Sequence, residues 1–172
     1  MDKVKNFPKR KPTRLKDFDY SNAGAYFITI CTDKRQQFLS CIVGVDVLGD
    51  PKKVELLPYG MVADKYINQM NEFYEGITVD QYVIMPNHIH LLIFVQDDGS
   101  PRTSTPTKQT SSISHFVSTF KRFCNKECGG NIWQRGFFDH VIRGRDDYEE
   151  IVKYISENPM RWHCDELNDT EH

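Results

Sequence analysis

Two short pieces of this chain carry residue types and spacings that could do chemistry: "HIH", with His88 and His90, and "YISEN", with Tyr154 and Asn158. In a strand, residues i and i+2 point to the same face. His88 and His90 then stand side by side, with Ile89 turned the other way into the core. Neutral imidazole ligates divalent metals, and two imidazoles leave coordination positions open, as catalysis needs. A pair of satisfied strand histidines is the plainer alternative. Against it, the strand around them is strongly apolar, so polar rings on one shared face need a reason. The Pro86-Asn87 turn puts the pair at a strand's beginning, near the sheet edge, where a substrate can reach it.

The tyrosine belongs to a closing helix, "DDYEEIVKYISENP". At 100° per residue, Tyr148, Ile151, Val152 and Ile155 fall within roughly 100° of one another and form the buried stripe. Tyr154 lies roughly 110° from the centre of that stripe, and Asn158 lies within about 40° of Tyr154. The two share a flank of the packed face, a placement that suits a nucleophile and a ligand working over a cleft. Tyr148 reads as core. A boundary tyrosine with its hydroxyl in water, and an asparagine capping the helix before Pro159, stay open as simpler roles. A phenol ionises near pH 10 and is a weak nucleophile at neutral pH; about 10 is its ordinary pKa. A metal polarising a phosphate compensates for that. A covalent phosphotyrosine keeps the energy of the broken phosphodiester, so strands are exchanged without ATP.

These residues need a scaffold. Residues 1–22 read as a basic arm, with Pro8, Pro12 and clustered charge. "GAYFITICT" is rich in aromatic and β-branched residues and predicts a strand. Residues 38–57 suggest a hairpin or meander. Residues 59–74 fit a helix with Met61, Val62, Tyr66, Met70 and Phe73 at helical spacing, stopped by Gly76. "ITVDQYVIM" and "HIHLLIFV" predict two strands around the Pro86-Asn87 turn. A polar loop follows at 97–112. A second helix carries Ile113, Phe116, Val117, Phe120 and Phe123 on one stripe. "GGNIWQRGFFDHVIR" suggests turn and strand, or a short hairpin. The last helix runs from near Asp146 to near Asn158, before Pro159. The sum is an α+β fold: a ferredoxin-like sandwich, mainly antiparallel, with helices packed on one face and a βαββαβ order with additions. The expected organisation is an arm at 1–22, one catalytic domain at 23–162 and an acidic tail at 163–172.

Bulk properties narrow the class. A chain of 172 residues with 39% hydrophobic and 27% charged residues suggests one ordinary globular domain. No stretch approaches the roughly 18 apolar residues of a membrane span, so no membrane partner is expected. Five cysteines without a secretory signal point to reduced thiols in a cytoplasm. The net charge of -2 hides an asymmetry. Residues 1–16 hold seven Lys/Arg against one acid, and residues 101–145 eight against two; from Asp146 on, nine acids face two bases. Two basic segments on a near-neutral chain can bind a polyanion locally. On DNA, the arm would supply backbone contacts through Lys9, Arg10, Lys11 and Arg14, with Lys121 and Arg122 next. Trp133 and, less so, Phe123, Phe137 and Phe138 are candidates to stack unpaired bases. A zinc site at Cys124 and Cys128 with His115 or His140 is disfavoured, because the second half of the pattern is missing.

At these motifs the chain resembles the HUH single-strand transposases with one tyrosine, of the insertion-sequence type, and above all the REP-associated tyrosine transposases of bacteria. "RLKDFDYSNAGAYFITICTDKRQQFL" resembles their opening, "VIMPNHIHLLI" their histidine motif, "HFVSTFKRF" a shared helix and "IWQRGFFDHVIRGRDDYEEIVKYISENPMRW" their close. The likeness covers most of the chain. It implies Mg²⁺- or Mn²⁺-dependent cleavage of single-stranded DNA at hairpin-forming repeats. The products would be a 5′-phosphotyrosine and a free 3′-hydroxyl. It implies His88 and His90 as metal ligands, Tyr154 as nucleophile and Asn158 as third, amide-type ligand. Trp133, Gln134, Arg135, His140 and Arg143 fall in its "WQR…H..R" stretch, with Arg143 a candidate phosphate contact. A bacterial, nucleoid-associated location follows from the same likeness, as does a possible homodimer, since relatives work both in cis and by exchanging the tyrosine helix. The sequence runs only to His172 after "NPMRW", which puts in question a tail that some relatives use to organise the site. Two rivals remain: a non-catalytic, transposase-derived protein that binds DNA hairpins, and a metal-dependent hydrolase that uses water.

Overall fold

The computed structural model describes residues 23–44, 53–96 and 112–168. The basic arm with Lys9, Arg10, Lys11 and Arg14 lies outside the described residues. So does the polar loop expected at 97–112, apart from Ser112, where a helix begins.

Four strands form the main sheet: β1 (Gly24–Cys31), β4 (Ile77–Ile84), β5 (His88–Val95) and β6 (Phe138–Val141). Their order is β4-β5-β1-β6, and every neighbouring pair is antiparallel. A separate hairpin pairs β2 (Ser40–Val43) with β3 (Lys53–Leu56). The helices are α1 (Pro58–Phe73), α2 (Ser112–Cys128) and α3 (Arg145–Arg161). Without the hairpin and α3, the order β1-α1-β4-β5-α2-β6 is the ferredoxin-like split βαβ expected from the sequence.

The sheet separates two environments. Ile89, Leu91, Ile93 and Val95 of β5 join Tyr26, Ile28 and Ile30 of β1 in one core cluster. Ala63, Ile67 and Met70 of α1 and Ile113, Phe116, Val117 and Phe120 of α2 close it. Burying each of these large side chains stabilises by about 1.5–3 kcal/mol. His88, His90, Leu92 and Phe94 take the other face by alternation.

On that second face the structure adds a helix to the expected layer of α1 and α2. Helix α3 crosses it, with the Tyr148 ring 6.1 Å from Phe94 and the Tyr154 ring 5.3 Å from His90. The reason is legible in β5 itself. "HIHLLIFV" does not alternate apolar with polar, which is the mark of a strand covered on both sides. The strand is also interior to the sheet, so the histidines open it at an end and not at an edge.

Two other expectations shift. Helix α1 buries Gly60, Ala63, Ile67 and Met70, whereas Met61 and Phe73 are exposed. Small residues let α1 approach the hairpin; the Leu57 N–H donates to the Leu39 carbonyl at 2.9 Å. Helix α3 continues through Pro159 to Arg161. Proline costs one helical hydrogen bond and about 3 kcal/mol in a helix interior, but tertiary anchors on both sides hold this last turn. Asn158 is buried, and the Trp162 ring lies 5.9 Å from His88.

Gly60 gives a stability prediction. A Cβ there would sit 1.9 Å from the Leu39 carbonyl oxygen, a backbone atom. In an open helix Gly→Ala would stabilise by about 1 kcal/mol. Here the clash decides the sign, and Gly60→Ala is expected to destabilise by about 3 kcal/mol or more. Urea unfolding reads this directly; an unchanged midpoint would mean that the hairpin yields to the methyl group.

Candidate active site

The sheet brings His88 and His90 to one end of β5, as the i, i+2 spacing requires. A two-residue turn at Pro86-Asn87, closed by the Met85 N–H on the His88 carbonyl at 2.8 Å, fixes where they start. Both imidazoles are buried, and their Nε2 atoms lie 3.0 Å apart. Two ligands at right angles on a cation with 2.0–2.1 Å bonds would be about 3.0 Å apart.

The outer nitrogens are fixed by the scaffold. Asn87 Nδ2 donates to the Leu167 carbonyl at 2.6 Å, so its Oδ1 must accept the proton on His88 Nδ1 at 2.8 Å. That tautomer leaves the His88 Nε2 lone pair for a ligand. His90 Nδ1 meets the Thr29 hydroxyl at 2.8 Å. A hydroxyl can donate or accept, so His90 can free Nε2 in the same way.

Burial, and after it the charge of Arg35, together hold His88 down to about 3. Burial and the neighbouring His88 hold His90 well below the ordinary histidine range. Both rings are therefore neutral at neutral pH, the form that ligates metals. The unfolded chain takes up protons near pH 6.5, an ordinary value of about 6.5, whereas native His88 resists until about 3. Between these values the unfolded state binds more protons, so stability rises with pH. The pair's contribution is complete above pH ~6.5 and is lost as pH falls towards 3, at about 1.4 kcal/mol per pH unit per histidine. Urea midpoints of metal-free protein measured from pH 7 to 5 are expected to fall, and to fall less in His88→Gln. Equal slopes would overturn the assignment.

Tyr154 sits above this pair in the same chain. Its hydroxyl is 3.5 Å from His90 Nε2, and its ring meets Phe27 edge-on at 5.8 Å. The side chain is 39% exposed, so a substrate has access. Asn158, one turn on, is 2% exposed. It lies on the buried stripe with Ile155, deeper than the flank position expected for it. Its Nδ2 donates to Asp165 Oδ2 at 3.3 Å, while its Oδ1 is buried and meets no hydrogen-bond donor among the described residues.

Asp165 was not visible in the sequence as a site residue. Within the segment expected as an acidic tail at 163–172, the described residues form 3-10 turns at Trp162–Cys164 and Glu166–Asn168. The Leu167 N–H donates to Asp165 Oδ1 at 2.7 Å, the local turn chemistry of aspartate. One ligand atom each from His88, His90 and Asp165 lies within 4.8 Å of the others. The donor set fits a divalent cation. It offers two neutral nitrogens and a carboxylate, and Asn158, hydrogen-bonded to that carboxylate through Nδ2, carries a buried amide oxygen with no donor among the described residues.

The predicted DNA contacts divide. Lys121 donates to the carbonyls of Gln134 and Gly136, bracing the turn before β6, and burial lowers its ammonium to about 8. Arg122 and Arg135 line a groove of about 620 Å³ between α2 and that turn. Arg143 is exposed, its backbone N–H held by Asp147. Trp133 is 2% exposed and packs on Phe120, so it belongs to the core and cannot stack a base. His140 pairs with Asp147 at 3.0 Å. Cys124 is buried in the core cluster, and the Cys124–Cys128 pair belongs to no metal-sized group among the described residues.

The model of the IS200-like transposases matches residues 59–158, a span that holds His88, His90, Tyr154 and Asn158. The chain belongs to that family. A Haemophilus influenzae protein of no assigned function is 29% identical to this chain, over 92% of each. A second protein of that organism, provisionally named a REP-associated tyrosine transposase, is 28% identical over 83% of this chain and 74% of its own. Among solved structures, a REP-associated tyrosine transposase bound to a REP hairpin shares the fold, with a TM-score of 0.59 and 22% identity, over 87% of this chain and 74% of the other. Within the described residues no helix is long and apolar enough to cross a membrane.

Proposed function

We propose that this transposase cleaves and rejoins single-stranded DNA beside hairpin repeats, with Tyr154 as nucleophile. One observation carries the reading: within one chain, an exposed phenol stands 3.5 Å from a buried imidazole pair whose inner nitrogens are spaced for one cation. The REP hairpin in the similar solved structure supports a hairpin as the DNA partner.

His88, His90 and Asp165, with Asn158 Oδ1, would hold Mg²⁺ or Mn²⁺. When bound, the ion would polarise the scissile phosphate and offset the weakness of a neutral phenol. Tyr154 Oη forms a bond to phosphorus as the bond to the 3′-oxygen breaks. The phenolic proton is released, and the departing oxygen takes one up as a 3′-hydroxyl. The strand end stays on Tyr154 as a 5′-phosphotyrosine until another 3′-hydroxyl reverses the step. Phe27 supports this geometry by packing against both rings, stacked on His90 at 4.9 Å and edge-on to Tyr154. The reading needs only one protomer, since Tyr154 Oη lies 3.5 Å from His90 Nε2 of its own chain.

The test is an end-labelled hairpin with single-stranded flanks, incubated with Mn²⁺ and run on a denaturing gel. A covalent species carrying the nucleotide on the Tyr154 peptide is expected. Binding without adduct would favour the non-catalytic rival, and cut DNA without adduct the hydrolase.

A further inference from the structure

Helix α3 covers half of the histidine face. Its side chains meet β4 and β5: Tyr148 donates to Asp80 at 2.7 Å and packs on Phe94, and Tyr154 packs on His90. Among the described residues, the half built by β1 and β6 is the less covered one. Phe138 is 49% exposed there, and His140 is also exposed. The register fixes their place. Thr29 pairs with His90 on one side and with Phe138 on the other, so His90, Thr29 and Phe138 form one row on one face. Neighbouring strands are about 4.8 Å apart, which puts Phe138 about 10 Å from His90. Tyr154 stands over the boundary, its ring edge on Phe27, the residue paired with His140. At its far end the strip is closed by the His140–Asp147 pair, which ties β6 to the start of α3.

We propose that Phe138 is the stacking platform for an unpaired base next to the phosphate that Tyr154 attacks, with β6 as the floor of the single-strand track. This rests on the strand-transfer reading above. With α3 over β4 and β5, a phosphodiester reaching Tyr154 Oη has to run over β1 and β6. A phenylalanine on that path offers a π-face that every base can use. Exposed arginines flank the strand, Arg135 before it and Arg143 after it, to meet the backbone phosphates. Phe138 thus takes the role that the sequence suggested first for Trp133. It would position substrate and choose which nucleotide lies beside the cut.

The experiment uses the full chain in EDTA, so that no cleavage intervenes, and hairpins with 2-aminopurine at successive flank positions. Wild type and Phe138→Trp are expected to quench one position; Phe138→Ala and Phe138→Leu are expected to lose that quench. Both losses should weaken binding of the flanked hairpin by about 10- to 100-fold, the scale of one stacked base, and leave the bare hairpin within about twofold. Should Phe138→Ala fold poorly, Phe138→Leu keeps the apolar bulk and decides alone. Quenching or flank affinity unchanged in both variants overturns the proposal, as does an equal loss on the bare hairpin. The Mn²⁺ adduct is read separately. Adduct without Phe138-dependent quenching removes the platform and keeps the nuclease; quenching without adduct removes the nuclease and keeps a single-strand track.

Discussion

Phenylalanine at position 154 is expected to abolish the covalent DNA adduct, by about 10,000-fold or more, and to leave the fold and hairpin binding almost unchanged. The substitution removes one oxygen. The ring keeps its edge contact with Phe27 and its packing on His90. The hydroxyl stands at the solvent boundary, 3.5 Å from His90 Nε2, a long separation for a hydrogen bond. Its loss should change stability by less than about 0.5 kcal/mol. Tyr148→Phe is the matched control. That hydroxyl donates to Asp80 and lies away from the histidine pair, so adduct yield should stay within about threefold of wild type, an allowance for lost packing order. The measurements are adduct on a denaturing gel, hairpin affinity and the urea midpoint. An adduct that persists in Tyr154→Phe would assign the nucleophile to another side chain.

What the sequence revealed of this site follows physical range. The His88–His90 pairing is local: period 2 along one strand determines it, and a two-residue turn sets its start. The relation of Tyr154 to Asn158 is one turn of helix and equally local. The meeting of Tyr154 with His90 is not local, since α3 could have packed on either face of the sheet. Only the unbroken apolar run of β5 hinted that both faces are covered. Asp165 was invisible for a related reason. Nothing in "WHCDELND" marks a return to the histidines; the amide of Asn87 and the ring of Trp162 draw it back. Trp133 illustrates the opposite error. An aromatic in a basic stretch looks like a base platform, but Thr32 pairs with it as a β-bridge and Phe120 covers it. Exposure, which composition does not encode, separates it from Phe138.

The histidine pair and its support are expected to fail in two distinguishable ways. His90→Ala removes a proposed metal ligand outright. Adduct formation should fall by at least about 100-fold, and added Mn²⁺ should restore little of it, because the lost nitrogen lies 3.5 Å from the proposed nucleophile, Tyr154 Oη. Asn87→Ala touches neither ligand atom. It removes the acceptor that keeps the proton on His88 Nδ1 and the donor that holds the Leu167 carbonyl. His88 is then free to place its proton on Nε2, and the turn carrying Asp165 loosens. The cost falls on metal affinity, about 10- to 100-fold, so high Mn²⁺ should return the adduct close to wild-type yield. Titrating Mn²⁺ against adduct yield separates a raised half-saturation point in Asn87→Ala from a lowered plateau in His90→Ala. If both variants behave alike, the amide of Asn87 has no part in orienting His88, and the link between the histidines and the C-terminal turn carries no function.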